Sequence, residues 1–307
     1  MSHLLNPSSP RASLWAAIDA IAPLHLAGSW DNVGPLVDPL PLSPPKFGEV
    51  MDERIFLTID LTQPVYEEAI QLGATVIIAY HPPIFGGLKS ITQKDSLTRI
   101  ISHAIQRGIA IYSPHSALDA VKGGICDWLS IPFSAVSAGI SIDDLGDEWS
   151  KGLIQSTPLE PSEQSPHEGA GRLIKLTQPQ TLDCLLNALQ SHLSLDYFRV
   201  AAPPEIRSGI TLIEDVAICP GAGGSLFERL RGPQLYFTGE MRHHDVLNRV
   251  RQGHAVILTE HTRCERGYLE ILAHRLRKLF SFDVFISRLD DDPLSLWPPR
   301  LNKGSQS

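Results

Sequence analysis

Twice along this chain, apolar runs of strand length alternate with amphipathic stretches, three runs enclosing two stretches each time. Few folds satisfy that order. In the first passage "ERIFLTID", "ATVIIAYH" and "IAIYSPHSALD" read as strands, separated by the helices "PVYEEAIQLG" and "DSLTRIISHAIQRG". Pro64 opens the first helix and Gly73 closes it; Asp95 or Ser96 caps the second and Gly108 ends it. In the second passage the strands "EDVAICPG", "PQLYFTGE" and "HAVILTEH" alternate with the helices "GSLFERLRG" and "HHDVLNRVRQG". A β-α-β-α-β succession calls for a parallel sheet covered by its crossover helices. The pattern therefore predicts an α/β fold of two similar lobes, each a mainly parallel sheet flanked by helices. They span about 10–135 and 171–290 within one domain, 1–290. No residue-level repeat accompanies the repeated pattern. Between the lobes, "STPLEPSEQSPHEGAG" reads as a flexible loop over about 155–170, and 291–307 as an irregular tail.

The polar residues of both passages gather just after the apolar runs. They are Asp60, His81 and His115 to Asp119 in the first, then Cys219 to Gly224, Glu240 and His261 in the second. Open parallel sheets bind ligands beyond the carboxyl ends of their strands, so lobes that face each other would bring these groups together. His115 and Asp119 stand four residues apart, as do His261 and Glu265 in "TEHTRCERGYLEILAHRL", where a strand gives way to an amphipathic helix. Imidazoles with two carboxylates form a ligand set for one or two divalent ions of Zn, Fe, Mn or Co. Asp119 or Glu265 could bridge two ions about 3.5–4 Å apart, which would lower the pKa of a bound water. Each residue also has a plainer explanation. A lone histidine is usually a surface or hydrogen-bonded residue, Asp119 could cap the helix "AVKGGICDWL", and Glu265 could be a first-turn carboxylate.

The segment "CPGAGGSLF" brings Gly221, Gly223 and Gly224 to a strand-to-helix junction, with Glu240 at the next strand end. It is a candidate anion or substrate pocket, although it lacks the Lys-Ser/Thr of a P-loop and is not G-x-G-x-x-G. A tight turn is the plainer reading. His243 and His244 either face the same region or begin an exposed helix, and "DDLGDE" at 143–148 reads as a solvated surface.

A net charge of -8 with no cluster of Lys and Arg argues against direct nucleic-acid binding. Cys126, Cys184, Cys219 and Cys264 form no C-x-x-C pair and read as free thiols of a reducing compartment. No apolar run is long enough to cross a membrane, and the N-terminal stretch lacks the build of a secretory signal. The expectation is a cytoplasmic protein, with a mitochondrial or nuclear pool left open.

In order, "SWDNVGPLV", "AYHPPIFGGLKSIT", "YSPHSALDAVKGGICDWL", "EGAGRLIKL", "VAICPGAGGS", "YFTGEMRHHDVL" and "EHTRCERGYL" resemble the GTP cyclohydrolase I type 2 homologue, or Nif-three-like, family over nearly the whole chain. That resemblance implies two lobes facing each other across a dinuclear metal site, in a toroidal homohexamer built from dimers. It implies His81, Asp119, His261 and Glu265 as metal ligands, with His115 as an additional or supporting ligand. Many members carry two consecutive histidines where this chain has Tyr80 and His81, a form similar to the eukaryotic branch. The second ion's place is therefore open to a weak phenol ligand, to water, or to no ion at all. The family name implies metal-dependent hydrolysis of a nucleotide-like or phosphate-containing small molecule. A metal carrier or insertase, and a transcription-linked adaptor with a protein partner and a structural metal, are the competing expectations.

Overall fold

The computed structural model describes residues 11–42, 53–140 and 156–295. The first half runs α1 (Ala12–Ile21), β1 (Gly34–Val37), β2 (Arg54–Thr58), α2 (Gln63–Gln71), β3 (Val76–Ala79), α3 (Ser96–Arg107), β4 (Ala110–Ser113), α4 (His115–Ala120) and α5 (Ile125–Ala138). Then come β5 (Ser156–Thr157), β6 (Glu160–Pro161), β7 (Gly169–Ala170), β8 (Arg172–Gln180), α6 (Leu182–Leu193), β9 (Arg199–Ala201) and α7 (Pro204–Arg207). The second half closes with β10 (Ile213–Ala222), α8 (Gly224–Glu228), β11 (Leu235–Glu240), α9 (His243–Arg251), β12 (Ala255–Leu258), α10 (Tyr268–Leu279) and β13 (Asp283–Ile286).

Both repeated passages form parallel triplets. β2, β3 and β4 are parallel neighbours in a sheet of order β1-β4-β3-β2-β13, and β10, β11 and β12 are parallel neighbours in a sheet of order β5-β8-β10-β11-β12-β9. Val76 to Ala79 and Ala255 to Leu258 are buried throughout, as strands covered on both faces must be. Their neighbours settle the alternation. α3 is capped by the Asp95 carboxylate, which accepts from the Thr98 N–H, and stops at Gly108 with φ 67°. It buries Ile100, Ile101 and Ala104 against the first sheet; truncating such an isoleucine to alanine costs about 2–5 kcal/mol.

Three expectations need correction. The second lobe does not run as one unit to 290: β13 leaves it and pairs in parallel with β2 of the first sheet, in the register Val284 to Ile55. Nor does 135 bound the first lobe. α5 packs on β8, β10 and α6, and one core cluster runs from Trp15 and Ile55 to Ile218 and Phe237. The segment 156–170 is not a free loop either. β5 pairs with β8, and β6 pairs with β7 as a hairpin. Gly169 makes that hairpin feasible, because a Cβ at its φ of 143° would strike the Glu160 carbonyl. At the seam Arg172 pairs with Asp127 of α5 and donates to the Ala120, Val121, Gly169 and Gly171 carbonyls, so its buried charge is fully hydrogen-bonded. The acidic run 143–148 and residues 296–307 of the expected tail lie outside the described residues.

Candidate metal centre

Beyond β3 the chain bends, but the hydrogen bonding to β2 carries on. The N–H groups of Tyr80 and His81 donate to the Thr58 and Ile59 carbonyls at 2.9 and 3.0 Å, which delivers His81 at the sheet's C-terminal edge. Beyond β12 the turn is sharper. Glu260 adopts a left-handed φ of 69°, and His261 follows at once. Glu265 does not open an α-helix as the spacing suggests. A single 3-10 turn, Thr262–Cys264, separates the two, and α10 begins only at Tyr268. The tight turn still folds the pair inward, with His261 Nε2 3.9 Å from Glu265 Oε1.

His81, His261 and Glu265 are the one group among the described residues whose donor atoms all lie within 4.8 Å of one another. Glu265 is 1% exposed. Its Oε2 faces His81 Nε2 at 3.4 Å, outside hydrogen-bond geometry, and both atoms are buried without another partner. A carboxylate oxygen and an imidazole nitrogen this close, with no other partner, need a charge between them: a proton on His81 when no metal is bound, or a cation that replaces that proton. The donor set therefore fits a divalent cation.

Each histidine here has a carboxylate behind it. His81 Nδ1 lies 2.9 Å from Asp60 Oδ1, His261 Nδ1 2.9 Å from Glu240 Oε1, and His115 Nδ1 2.8 Å from Asp31. Such contacts fix the tautomer and turn Nε2 outward. Asp60 is itself approached by Arg266, which pairs with Asp290 at 2.7 Å, while Asp290 accepts from the Ile59 N–H at 2.7 Å. Burial disfavours charge on His81, but Asp60 and Glu265 outweigh it and push its pKa up to about 10. Burial would raise Asp60, yet its hydrogen bond and attraction to His81 leave it below the usual carboxylate range.

The residues expected alongside are placed differently. Tyr80 is buried, and its hydroxyl donates to Asp119 Oδ1 at 2.6 Å. Asp119 sits in the last turn of α4 and caps nothing, because α5 starts at Ile125 behind Gly124 with no side-chain cap. Burial lifts the Asp119 carboxyl to about 7, against the opposing pull of His115 and Tyr80. Burial, reinforced by the charges of Asp119 and Glu265, holds the Tyr80 hydroxyl well above the ordinary phenol range. His115 lies near, its ring 5.4 Å from those of His81 and Tyr80, but it does not join the converging group.

Two N–H groups of the glycine turn have partners within the chain, and Gly221 lines the cavity at the strand ends. The Gly221 N–H faces the Cys264 sulfur and the Gly223 N–H donates to the Thr238 hydroxyl. Glu240 is the carboxylate behind His261. Gly221 serves another purpose: with φ 56°, a Cβ there would stand 2.9 Å from both Glu265 Oε1 and His261 Nε2. Gly223 packs against Thr238, Cys219 and Phe227, and Gly224 opens the short α8.

The donors line a cavity of about 1250 Å³ between the two sheets' strand ends. Trp30, Phe85 and the β6–β7 hairpin also line it. Trp30 and Phe85 are 64% and 55% exposed with ring centroids 6.1 Å apart, and Trp30 lies over Gly28, where a Cβ would collide with its indole nitrogen.

The family model described as Duf34/NIF3 (NGG1p interacting factor 3) matches residues 11–293. This chain belongs to the DUF34/NIF3 family. A NIF3-like protein 1 of Drosophila melanogaster is 36% identical, aligning 95% of this chain with 91% of its own. A protein NIF3 homolog of Schizosaccharomyces pombe is 35% identical over 95% and 99%. Two solved structures share the fold: a Bacillus cereus protein related to NIF3 (TM-score 0.68, 19% identity, 92% of this chain and 98% of that one) and reduced HcgD from Methanocaldococcus jannaschii (TM-score 0.68, 17%, 90% and 97%). For this DUF34/NIF3 chain, the roles of Asp60 and Asp31 escape a reading by spacing. Asp60 is visible as a polar residue at a strand end, but only the parallel pairing of β2 with β3 sets it behind His81. Asp31 stands in "SWDNVG", with nothing in the linear order to link it to His115. Among the described residues no helix is long and apolar enough to cross a membrane.

Proposed function

We propose that the protein is a divalent-metal-dependent hydrolase of a small molecule that carries a planar ring, of the nucleotide-like class. The observation that carries this reading is the buried pair His81 Nε2 and Glu265 Oε2, unsatisfied and facing each other beside His261. His81, His261 and Glu265 would hold the ion. Two imidazoles and one carboxylate leave coordination positions open, and an ion so held supplies Lewis acidity that lowers the pKa of water.

The chain's own residues do the rest. Asp60 and Glu240 hold the two imidazoles in the tautomer that presents Nε2. Asp119, its carboxyl lifted to about 7 by burial, is placed to accept or return a proton near neutral pH. Trp30 and Phe85 offer aromatic faces at the cavity wall on which a base can stack. The cavity volume suits a nucleotide-sized ligand.

Chelator-stripped protein reloaded with Zn²⁺, Mn²⁺, Fe²⁺ or Co²⁺ should turn over at least one member of a panel of nucleotides and phosphoesters. Glu265→Gln should abolish that turnover. No turnover across the panel by protein shown to contain metal would reject the hydrolase reading. A carrier role has one observation in its favour: His261 is 38% exposed at the cavity wall, so its side of the site is open to exchange. Transfer of the ion to an acceptor within minutes would favour that role.

A further inference from the structure

Resting on the reading of His81, His261 and Glu265 as a cation site, we infer that this chain holds one divalent ion, and that Tyr80 keeps Asp119 out of the ligand set. The argument is a count of donor atoms in reach of one point. An ion with bonds of about 2.0–2.1 Å holds its ligand atoms no more than roughly 4.2 Å apart. The His81, His261 and Glu265 donors come close to that limit, all lying within 4.8 Å of one another. Asp119 falls outside the group, and no second group of three converges among the described residues.

Of the side chains that a second ion would need, Asp119 has one oxygen engaged by Tyr80, and neither Asp119 nor His115 joins the converging group. Asp119 Oδ1 accepts the Tyr80 hydroxyl at 2.6 Å, a short hydrogen bond between buried groups. His115 Nδ1 faces both oxygens of Asp31 at 2.8 Å, and Asp31 also accepts from the Ser116 N–H at 3.1 Å; this ties the imidazole to the start of α4 and leaves Nε2 as its outward nitrogen, outside the converging group. Position 80 lies next to His81 on the same strand extension, and its ring stands 5.0 Å from that of His81 and 5.4 Å from that of His115. It is the place from which a third imidazole would face His115 and Asp119. The residue there is instead a phenol that spends its proton on Asp119. A neutral hydrogen-bond donor satisfies the carboxylate where a second cation otherwise would. Tyr80 is thus a specificity residue for ion number, and the site takes a single borderline cation on two nitrogens and one carboxylate.

The test is metal stoichiometry, independent of any activity. Chelator-stripped protein is titrated with Mn²⁺, counted by native mass spectrometry and calorimetry and observed by electron paramagnetic resonance. The expected result is one ion per chain with an uncoupled Mn²⁺ spectrum. Asp119→Asn should keep that ion and Glu265→Gln should lose it. Tyr80→His, with folding checked by circular dichroism, should raise the count to two and introduce exchange coupling between neighbouring ions. Two coupled ions in the unmodified protein would overturn the inference while leaving the cation site itself standing. So would loss of the single ion in Asp119→Asn, or a folded Tyr80→His that still takes only one. No bound ion at all would overturn both readings together.

Discussion

His81 and His261 reach the same point from opposite lobes by the same construction. Each follows the end of a parallel strand, and each is backed by a carboxylate from the end of the neighbouring strand: Asp60 after β2 behind His81, Glu240 at the end of β11 behind His261, both at 2.9 Å. The surroundings differ. The side chains of His81 and Asp60 are 19% and 31% exposed, those of His261 and Glu240 38% and 52%. The first pair is anchored further by Arg266 and Asp290, whereas Glu240 lies open at its edge. A hydrogen bond shielded from water and held at both ends orients a ring more firmly than one that water can replace. The first lobe therefore offers a fixed ligand, and the second an adjustable one.

The largest effect should come from the group both lobes share. Glu265→Gln removes the only carboxylate in the converging set and should weaken Zn²⁺ or Mn²⁺ binding more than about 100-fold by calorimetry, beyond what a supporting residue commands. Gly221→Ala should come next. Its Cβ would press on Glu265 and His261, both on the second lobe's turn, so metal binding should fall at least about 10-fold. The left-handed φ adds about 1–2 kcal/mol of destabilisation, readable in a melt. The comparison itself is decided by Asp60→Asn against Glu240→Gln. The first should cost about 10–100-fold in metal affinity, as removal of an anchored supporting carboxylate does, and the second less than about 5-fold. Equal losses would break the distinction between the fixed and the adjustable side.

The smallest effect lies away from both pairs, at the seam where α5 meets α6. His192 lies tilted against Trp128 with ring centroids 4.5 Å apart, and burial depresses its pKa to about 4. The unfolded chain, with an ordinary value near 6.5, binds the proton first. Stability from this group is therefore complete above about 6.5 and is lost as the pH falls towards 4. Denaturant melts of metal-free protein between pH 7 and 5 should show a loss of about 1–2 kcal/mol that His192→Gln does not show.

Much of this was legible from the chain alone because strand ends are written in the alternation of apolar and polar residues. His81, His261 and Glu265 follow apolar runs, and the topology of parallel sheets places such residues on one edge. Asp119 obeyed the same rule yet fell outside the converging group, because α4 turns it towards Tyr80, a partner 39 residues away that spacing cannot reveal. Glu240 was visible as a site residue, though not as the carboxylate behind His261. Its task depends on which strand lies beside β12, a matter of pairing order. The hairpin at 160–170 was hidden by a composition rich in Pro, Ser and Gly, which suits a tight hairpin as well as a loop.

By itself the sequence determined the two alternating passages, the parallel strand triplets they demand, and the chemical kinds of donor at the strand ends, since local periodicity and turn chemistry carry that information within about ten residues; the antiparallel strands that flank both triplets lay outside it. Only the tertiary structure decided which donors meet. It returned β13 to the first sheet, set a carboxylate behind each imidazole, and gave Asp119 to a phenol. Those outcomes depend on distances between segments far apart in the chain, which packing fixes and linear order does not.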